Sequence, residues 1–392
     1  MGARKILHLD LDAFFCAVEE LHSPDLRGLA FAVGGKPNER GVVASCSYAA
    51  RAKCVRSAMP MSHALRLCPE LRVVPPNHAR YQAASEQVMS ILHGHTALLE
   101  QLSIDEAFLD LTDLPQSGEE LARMLQNQIR EQTGLPCSLG VAANKLVAKT
   151  ATDVAKARHR GGGYPSAILV VPPGEEAAFL APLPVQSLWG VGPKTAETLK
   201  TMGVETIGDL TGFSEAALMR RFGVMGHDLY LRARGVDDRP VTTEHSARSI
   251  SQEITFDKDI ANGDRLRDTL RSLSEQVAFS LRSKRLCAGT VKIKLRKPDF
   301  STFTRQMTLE QPADQDGVIY AAALSLFERL WEKGQPVRLL GVGTSRLGPR
   351  AQQLSLWDTA NQKERRLLDA LDGLRERFGE EVVQSGRKLK GR

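Results

Sequence analysis

The chain has 392 residues, too many for one hydrophobic core and enough for about two to four domains. Hydrophobic residues (42%) and charged residues (25%) stand at ordinary globular levels, and no apolar run is long enough to span a bilayer, so no membrane association is expected. Lysine plus arginine (52) against aspartate plus glutamate (46) leaves +6, which favours a polyanionic partner without proving one.

Lys5 to Asp12 reads as a strand, with Leu7, Leu9 and Leu11 alternating with His8, Asp10 and Asp12; Ala13 to Leu21 reads as the helix after it. Gly41 to Cys68 mixes a short strand with helical pattern. Helices are expected at Ala79 to Leu92 and Gly118 to Gln132, and apolar, strand-like runs at Leu102 to Leu111 and Cys137 to Ala142. Strands and helices mixed in this order predict an α+β domain. A basic, glycine-rich break at 158–163 precedes a helical region from Leu183 to Gly235 with short glycine-containing turns. Strands return beyond Glu244, notably Thr290 to Leu295, and Lys363 to Phe378 reads as a charged amphipathic helix.

The six cysteines form no C-x-x-C pair, and their spacing suggests neither a disulfide framework nor a zinc site. Asp10 and Asp12 interrupt the N-terminal apolar stretch, which therefore does not read as a signal peptide. A reducing, cytoplasmic setting is expected.

Two acidic sites interrupt apolar strands: Asp10 and Asp12 in ILHLDLDAFF, and Asp105 and Glu106 in LSIDEAFLDL. Each alone could sit at a strand end and point into water. A buried carboxylate is costly unless paired or bound to a cation, so two such interruptions together suggest one shared cation site. Magnesium suits it, being a hard ion that takes carboxylates, phosphates and water. Adjacent strand residues face opposite sides, so either the backbone turns between Ile104 and Ala107 or one of the acid pair is not a ligand.

SCSYAARAKCVRSAMP, residues 45–60, sets hydroxyls and Arg51 three residues apart on a helical turn, able to meet one phosphate or simply to form a solvated basic helix. NKLVAKTATDVAK, residues 144–156, places Lys145, Lys149 and Lys156 on related helical faces. The Gly-Val-Gly at 190–192 lies between helical stretches and permits a tight turn whose amides approach phosphate. Val291, Ile293 and Leu295 alternate with Lys292, Lys294 and Arg296, so one strand face can pack while the other meets phosphates. Seven basic residues and no acid fall between Arg282 and Lys297, which favours DNA as that partner.

DLDAFF at 10–15 and SIDEA at 103–107 resemble the two signature palm motifs of the Y family of DNA polymerases, in its DNA polymerase IV branch. The resemblance runs from about residue 4 to residue 357. It implies a multidomain α+β right-hand polymerase: palm at 1–12 and 77–166, fingers at 13–76, a helix-hairpin-helix thumb at 167–235, and an α/β little finger at 244–348. A hairpin turn would present the acid pair. Asp10, Asp105 and Glu106 would be catalytic, and with the carbonyl of Leu11 they would hold two Mg2+ ions; Asp12 is not usually a ligand. Ser45, Tyr48, Arg51, Lys156 and the amides of Ala13, Phe14 and Phe15 would bind the dNTP, with Phe15 as a steric gate against ribose. Cys54 stands where glycine is common, which puts the local backbone shape in question.

The resemblance also implies primer–template contacts from Gly190, Val191, Gly192 and Lys194 and from Lys292, Lys294 and Arg296. Gln353, Leu354, Ser355, Leu356 and Trp357, in the segment 349–392, resemble the peptide by which bacterial polymerases bind the sliding clamp. A monomer is expected, performing low-fidelity translesion synthesis. Two rival readings fit less well. A non-catalytic polymerase-like accessory protein would lack the acidic triad present here. A nucleotide cyclase would lack the helix-hairpin-helix and the basic C-terminal half.

Overall fold

In the computed structural model the described residues are 4–161, 163–244, 246–350, 367–368, 370–374 and 377–378. The chain divides into two compact units, Met1–His245 and Ser246–Arg392.

The first unit begins with β1 (Ile6–Leu11) and α1 (Phe14–His22), close to the strand and helix read from the alternation. β2 (Phe31–Gly34), β3 (Val43–Cys46), α2 (Tyr48–Ala52), α3 (Met61–Leu67) and β4 (Arg72–Val74) follow. Their small sheet, ordered β3-β2-β4, carries its own core of Ala32, Val43, Cys46, Met61 and neighbours. Next come α4 (His78–His93), β5 (Leu99–Gln101), β6 (Glu106–Asp110), α5 (Gly118–Thr133), β7 (Cys137–Ala142), α6 (Lys145–Arg158) and β8 (Ile168–Val170). The helical region comprises α7 (Glu176–Leu180), α8 (Pro193–Thr201), α9 (Ile207–Leu210), α10 (Glu215–Phe222) and α11 (Val224–Ala233).

The main sheet has the order β5-β6-β1-β7-β8. β1 is central and antiparallel to both neighbours, and both its faces are covered. Leu7, Leu9 and Leu11 pack with Val88 and Leu92 of α4 and with Leu121, Leu125 and Ile129 of α5. Ile6 on the opposite face shares a core with Leu146, Val147 and Ala151 of α6 and with Leu180, Leu188 and Leu199 of the helical region. That shared core joins the helices to the back of the sheet.

The apolar run Leu102 to Leu111 is not one strand. Leu102 to Asp105 turns, the amide of Leu102 donating to the carbonyl of Glu106 (3.0 Å), and only Glu106–Asp110 is extended. The Ser103 hydroxyl causes the turn by accepting from the amides of Asp105 (3.2 Å) and Glu106 (3.1 Å), a local bond that competes with the ladder. The turn required by the acid pair is therefore present. Cys54 has φ 64°, the left-handed conformation that glycine adopts at no cost. The departure from glycine leaves the backbone shape intact and puts the strain on the cysteine.

The second unit runs β9 (Ser249–Ile260), α12 (Gly263–Ser283), β10 (Leu286–Arg296), β11 (Thr302–Ala313), α13 (Asp316–Leu330) and β12 (Val337–Pro349), with sheet order β11-β10-β12-β9. Val291, Ile293 and Leu295 are fully buried against Leu270 and Val277 of α12 and Phe327 of α13. The alternate positions 292, 294 and 296 lie on the other face. The described residues between 367 and 378 are helical, and Asp372 among them meets the buried Arg282 (2.5 Å).

α6 crosses β7 at Gly140, where an added Cβ would lie 2.0 Å from the Ala148 carbonyl oxygen. Gly140→Ala should therefore lower stability by about 2–3 kcal/mol through overpacking. Gly348→Ala, with nothing within 4 Å of its new methyl, should stay within about 0.5 kcal/mol. Urea midpoints of the two variants decide this; equal midpoints would mean that α6 can lift off the sheet at little cost.

Candidate active site

Asp10 sits at the end of β1, directly opposite Glu106 on β6 and Ser138 on β7. Asp105 closes the turn before β6, its carbonyl accepting from the Leu11 amide (3.0 Å). Three carboxylates thus come from one strand end and one adjoining turn. They are not drawn together on one point: among the described residues no three His, Cys, Asp or Glu side chains are grouped to hold an ion. Each carboxylate takes a different local donor. Lys156 Nζ donates to Asp10 (2.5 Å), Lys149 Nζ to Glu106 (2.8 Å) and the Ser103 hydroxyl to Asp105 (2.5 Å).

α6 brings both lysines. They stand seven residues apart, two turns along one face of the helix. Thr152 lies between them; its hydroxyl is 2.9 Å from His8 Nδ1 and donates to the His8 carbonyl, so it fixes α6 against β1. Burial pulls the Lys156 ammonium down, but Asp10 and Asp12 outweigh it and hold the group charged above its usual range. Burial pushes the Glu106 carboxyl up, against the pull of Lys149. Asp12 is fully buried, accepting from the Ser138 hydroxyl (2.9 Å) and the Ser166 amide (2.9 Å), with Lys156 at 3.4 Å. It ties β1 to β7 and to the segment before β8.

A cavity of about 240 Å³ opens at this strand end. It gathers Asp10, Leu11, Ala13, Phe14, Phe15, Ser45, Arg51, Asp105 and Lys156, nine of the residues singled out from sequence. Ala44, Ser57 and Ile104 also line it, although nothing in their own local pattern marks them as site residues. Glu106 is turned toward Lys149 and does not line the cavity. In the sequence Lys149 reads only as one lysine of a helical face; its partner lies 43 residues away, beyond the reach of periodicity.

Ser45 lies on β3, not on a helical turn with Arg51, so that part of the expectation is corrected. Ser45 and Arg51 still reach the same cavity, because Ser47 caps α2 and starts the helix immediately after the strand. Arg51 lies over the Tyr48 ring (4.7 Å) and donates to the Cys46 carbonyl (3.2 Å). Tyr48 packs edge-on against Tyr164 and His159; its hydroxyl is buried without a hydrogen-bond partner among the described residues. Burial pushes that phenol up to about 12, so it remains an O–H donor.

Ala13 is left-handed (φ 44°, ψ 47°) and begins α1 without a side-chain cap, a strained entry that leaves the first amides at the cavity. Phe15 stacks on Tyr81 (4.2 Å, 11°), and Tyr81 is itself held by its hydroxyl donating to Glu19 (2.6 Å). Phe14 is 2% exposed and serves chiefly as core.

Of the residues singled out for DNA, Gly190 has φ 98° and lies against Arg232, which donates to the Trp189 carbonyl (3.1 Å). Gly192 caps α8, with Pro193 at its first position; Val191 is nearly buried and Lys194 exposed. The stretch before the turn is a single 3₁₀ turn, Val185–Ser187, in place of a full helix. In the second unit Lys292 is exposed, Lys294 pairs with Glu253 (2.8 Å) and Arg296 donates to Thr302 (2.8 Å). The basic run from 282 is less available than its sequence suggests. Arg282 is buried between Asp316 (2.6 Å) and Asp372, because it faces the second unit's interior. The peptide Gln353–Trp357 lies outside the described residues.

Comparison with known proteins agrees along the whole chain. The impB/mucB/samB family matches residues 9–153, its C-terminal domain 247–356, and the IMS family HHH motif 173–204. The chain is 43% identical to DNA polymerase IV of Desulfatibacillum aliphaticivorans, over 98% of this chain and 96% of that protein. It is 40% identical to DNA polymerase IV of Dehalococcoides mccartyi (strain CBDB1), over 99% and 98%. A solved Y-family DNA polymerase chimera shares the fold with a TM-score of 0.76, covering 87% of this chain and 98% of that one at 24% identity. Full-length identity of this degree shows that the chain belongs to the Y family of DNA polymerases, in its DNA polymerase IV group.

Proposed function

We propose that the chain extends a DNA primer on a DNA template, joining deoxynucleotides to the 3′-hydroxyl and releasing pyrophosphate, as a low-fidelity translesion polymerase. One observation carries the reading. A single cavity unites a carboxylate strand end, a capped basic helix, a helix N-terminus, a shielding aromatic ring and a charged lysine. Palm at 1–12 and 77–166, fingers at 13–76, thumb at 167–235 and little finger at 244–348 are the corresponding domains. The expected setting is a cytoplasmic monomer.

The donor set suits a hard divalent cation: three carboxylates and the Leu11 carbonyl, all oxygen, already offset by two lysines. Asp10, Leu11, Asp105 and Glu106 would hold two Mg2+ ions, which when bound supply charge to the attacking hydroxyl and to the leaving pyrophosphate. Arg51, Ser45, Tyr48 and Lys156 bind the triphosphate, with the amides of Ala13, Phe14 and Phe15 at the start of α1. The buried Tyr48 hydroxyl is a donor awaiting an acceptor. Phe15, fixed by Tyr81, sets the floor under the sugar. Gly190, Val191, Gly192 and Lys194 grip the DNA backbone, as do Lys292, Lys294 and Arg296, through phosphate contacts that weaken with salt.

Glu106→Ala should reduce primer extension in magnesium at least about a thousandfold, on the order of 4 kcal/mol in the barrier, while primer–template affinity stays within a few fold. Extension at the normal rate would remove Glu106 from the chemistry. Phe15→Ala should admit ribonucleotides far more readily, by about tenfold for each 1.4 kcal/mol of relieved clash. Single insertions of matched deoxy- and ribonucleotides measure this; an unchanged ratio with deoxynucleotide insertion retained makes Phe15 packing only. Sliding-clamp binding is proposed for Gln353, Leu354, Ser355, Leu356 and Trp357. Gln353→Ala with Leu356→Ala should abolish clamp binding and spare unassisted extension, and normal clamp binding by the double variant would show that this peptide is not the docking site.

A further inference from the structure

The start of α6 is held by the segment that follows the helical region. Asn144 caps α6 through its carbonyl oxygen, and its amide donates to the Gly235 carbonyl (2.8 Å). Lys145 is buried against Glu100 (2.7 Å), and Glu100 also accepts from the Thr242 amide (2.9 Å). The Leu146 amide donates to Asp237 (3.0 Å). Asn144 and Leu146 are thus bound directly to residues 235–242, and Lys145 is tied to the same segment through Glu100. A free amide at a helix start needs an acceptor, and a buried carboxylate there satisfies both the amide and the helix dipole.

The Asp237 side chain is only 3% exposed, and its charge is met by Arg239 through Nε (2.6 Å) and Nη2 (2.8 Å) in a fork. The same guanidinium lies over the Trp189 ring at 4.5 Å. Trp189 is the residue before the Gly190 turn, its carbonyl held by Arg232 and its ring packed against Phe108 of β6 (5.6 Å). One arginine therefore touches both the acceptor at the start of α6 and the root of the glycine hairpin. Lys149 and Lys156 lie one and three turns along that helix, against Glu106 and Asp10.

We propose that Asp237 and Arg239 are positioning residues of this polymerase, a clasp that registers α6 and its two lysines over the carboxylates and ties that register to the hairpin at Trp189–Gly192. The inference rests on the polymerase reading of both sites. Neither residue reaches the cavity; each acts through α6. The clasp lets the grip on the DNA backbone and the seat of the triphosphate share one rigid reference. A displacement of about 1 Å at a reacting group can cost on the order of a hundredfold in rate, so loosening this end of α6 should be visible in catalysis.

The test uses the full chain and single-nucleotide incorporation on a plain primer–template in magnesium, with DNA affinity and thermal midpoint measured beside it. Arg239→Gln should lower the maximal incorporation rate about tenfold or more while DNA affinity stays within about threefold; Arg239→Lys should restore part of the rate. In a Lys156→Ala background the added effect of Arg239→Gln should shrink to about threefold or less, because both changes act through one helix. Trp189→Phe, which keeps the Asp237 fork and weakens the stacking of Arg239 together with the ring contact to Phe108, should move the rate in the same direction by less. It replaces Arg239→Gln if that variant does not fold. Independent, multiplying effects of Arg239→Gln and Lys156→Ala would overturn the proposal. So would a parallel fall of rate, DNA affinity and thermal midpoint, or an unchanged rate. An unmodified chain that incorporates nothing would instead overturn the polymerase reading.

Discussion

The first unit depends on one constraint: carboxylates placed at the end of a central apolar strand must be compensated by charge brought from elsewhere. β1 is covered on both faces, so Asp12 is fully buried and Asp10 is exposed only toward the cavity. α6 supplies the compensation with Lys149 and Lys156. Much nearby architecture serves to put that helix in place. Gly140 lets it approach the sheet, Thr152 bonds it to β1, and the segment 235–242 holds its first turn. Loss of either lysine would leave a carboxylate with a smaller share of opposite charge in a partly buried setting, which is usually more damaging than the pair itself is stabilising.

The arrangement also divides labour among four acids that look alike in sequence. Asp12 is a structural anchor: buried, doubly hydrogen-bonded and tied to the segment before β8. Asp10 and Asp105 face the cavity. Glu106 stands opposite Asp10 on the next strand but is engaged by Lys149. Local geometry, and not residue type, separates a fastener from a candidate ligand.

Regular elements were largely legible in the sequence, because their signals are local. Cys137–Ala142 matches its strand at both ends, and Asn77 and the Ser117–Glu120 capping box mark where α4 and α5 begin. The acid motifs, Phe15, Arg51 and Lys156 were also readable as candidates, and the structure brings most of them to one cavity. Other features were hidden for physical reasons. The turn at Leu102–Asp105 lacks glycine and proline and is closed by a single serine hydroxyl, so its only sign in the sequence is the acid pair that calls for it, and no local turn signal sets its bounds. Ser45 shares a cavity with Arg51 only because a strand passes directly into a capped helix. Arg282 reads as part of a basic surface, yet its partners at 316 and 372 turn it inward. The carboxylate partners of Lys149 and Lys156 are 43 and 146 residues distant, so these pairings follow from tertiary assembly alone.

The Lys156–Asp10 pair has a consequence for how the cavity fills. On the proposed polymerase reading, a triphosphate alone would draw Lys156 from Asp10 and leave that carboxylate beside another negative charge, and a cation alone would draw Asp10 away and leave the ammonium with only Asp12, at 3.4 Å. Bound together they would replace one ion pair with two, so the salt bridge would act as a coincidence lock that favours a matched set of charges over either half alone.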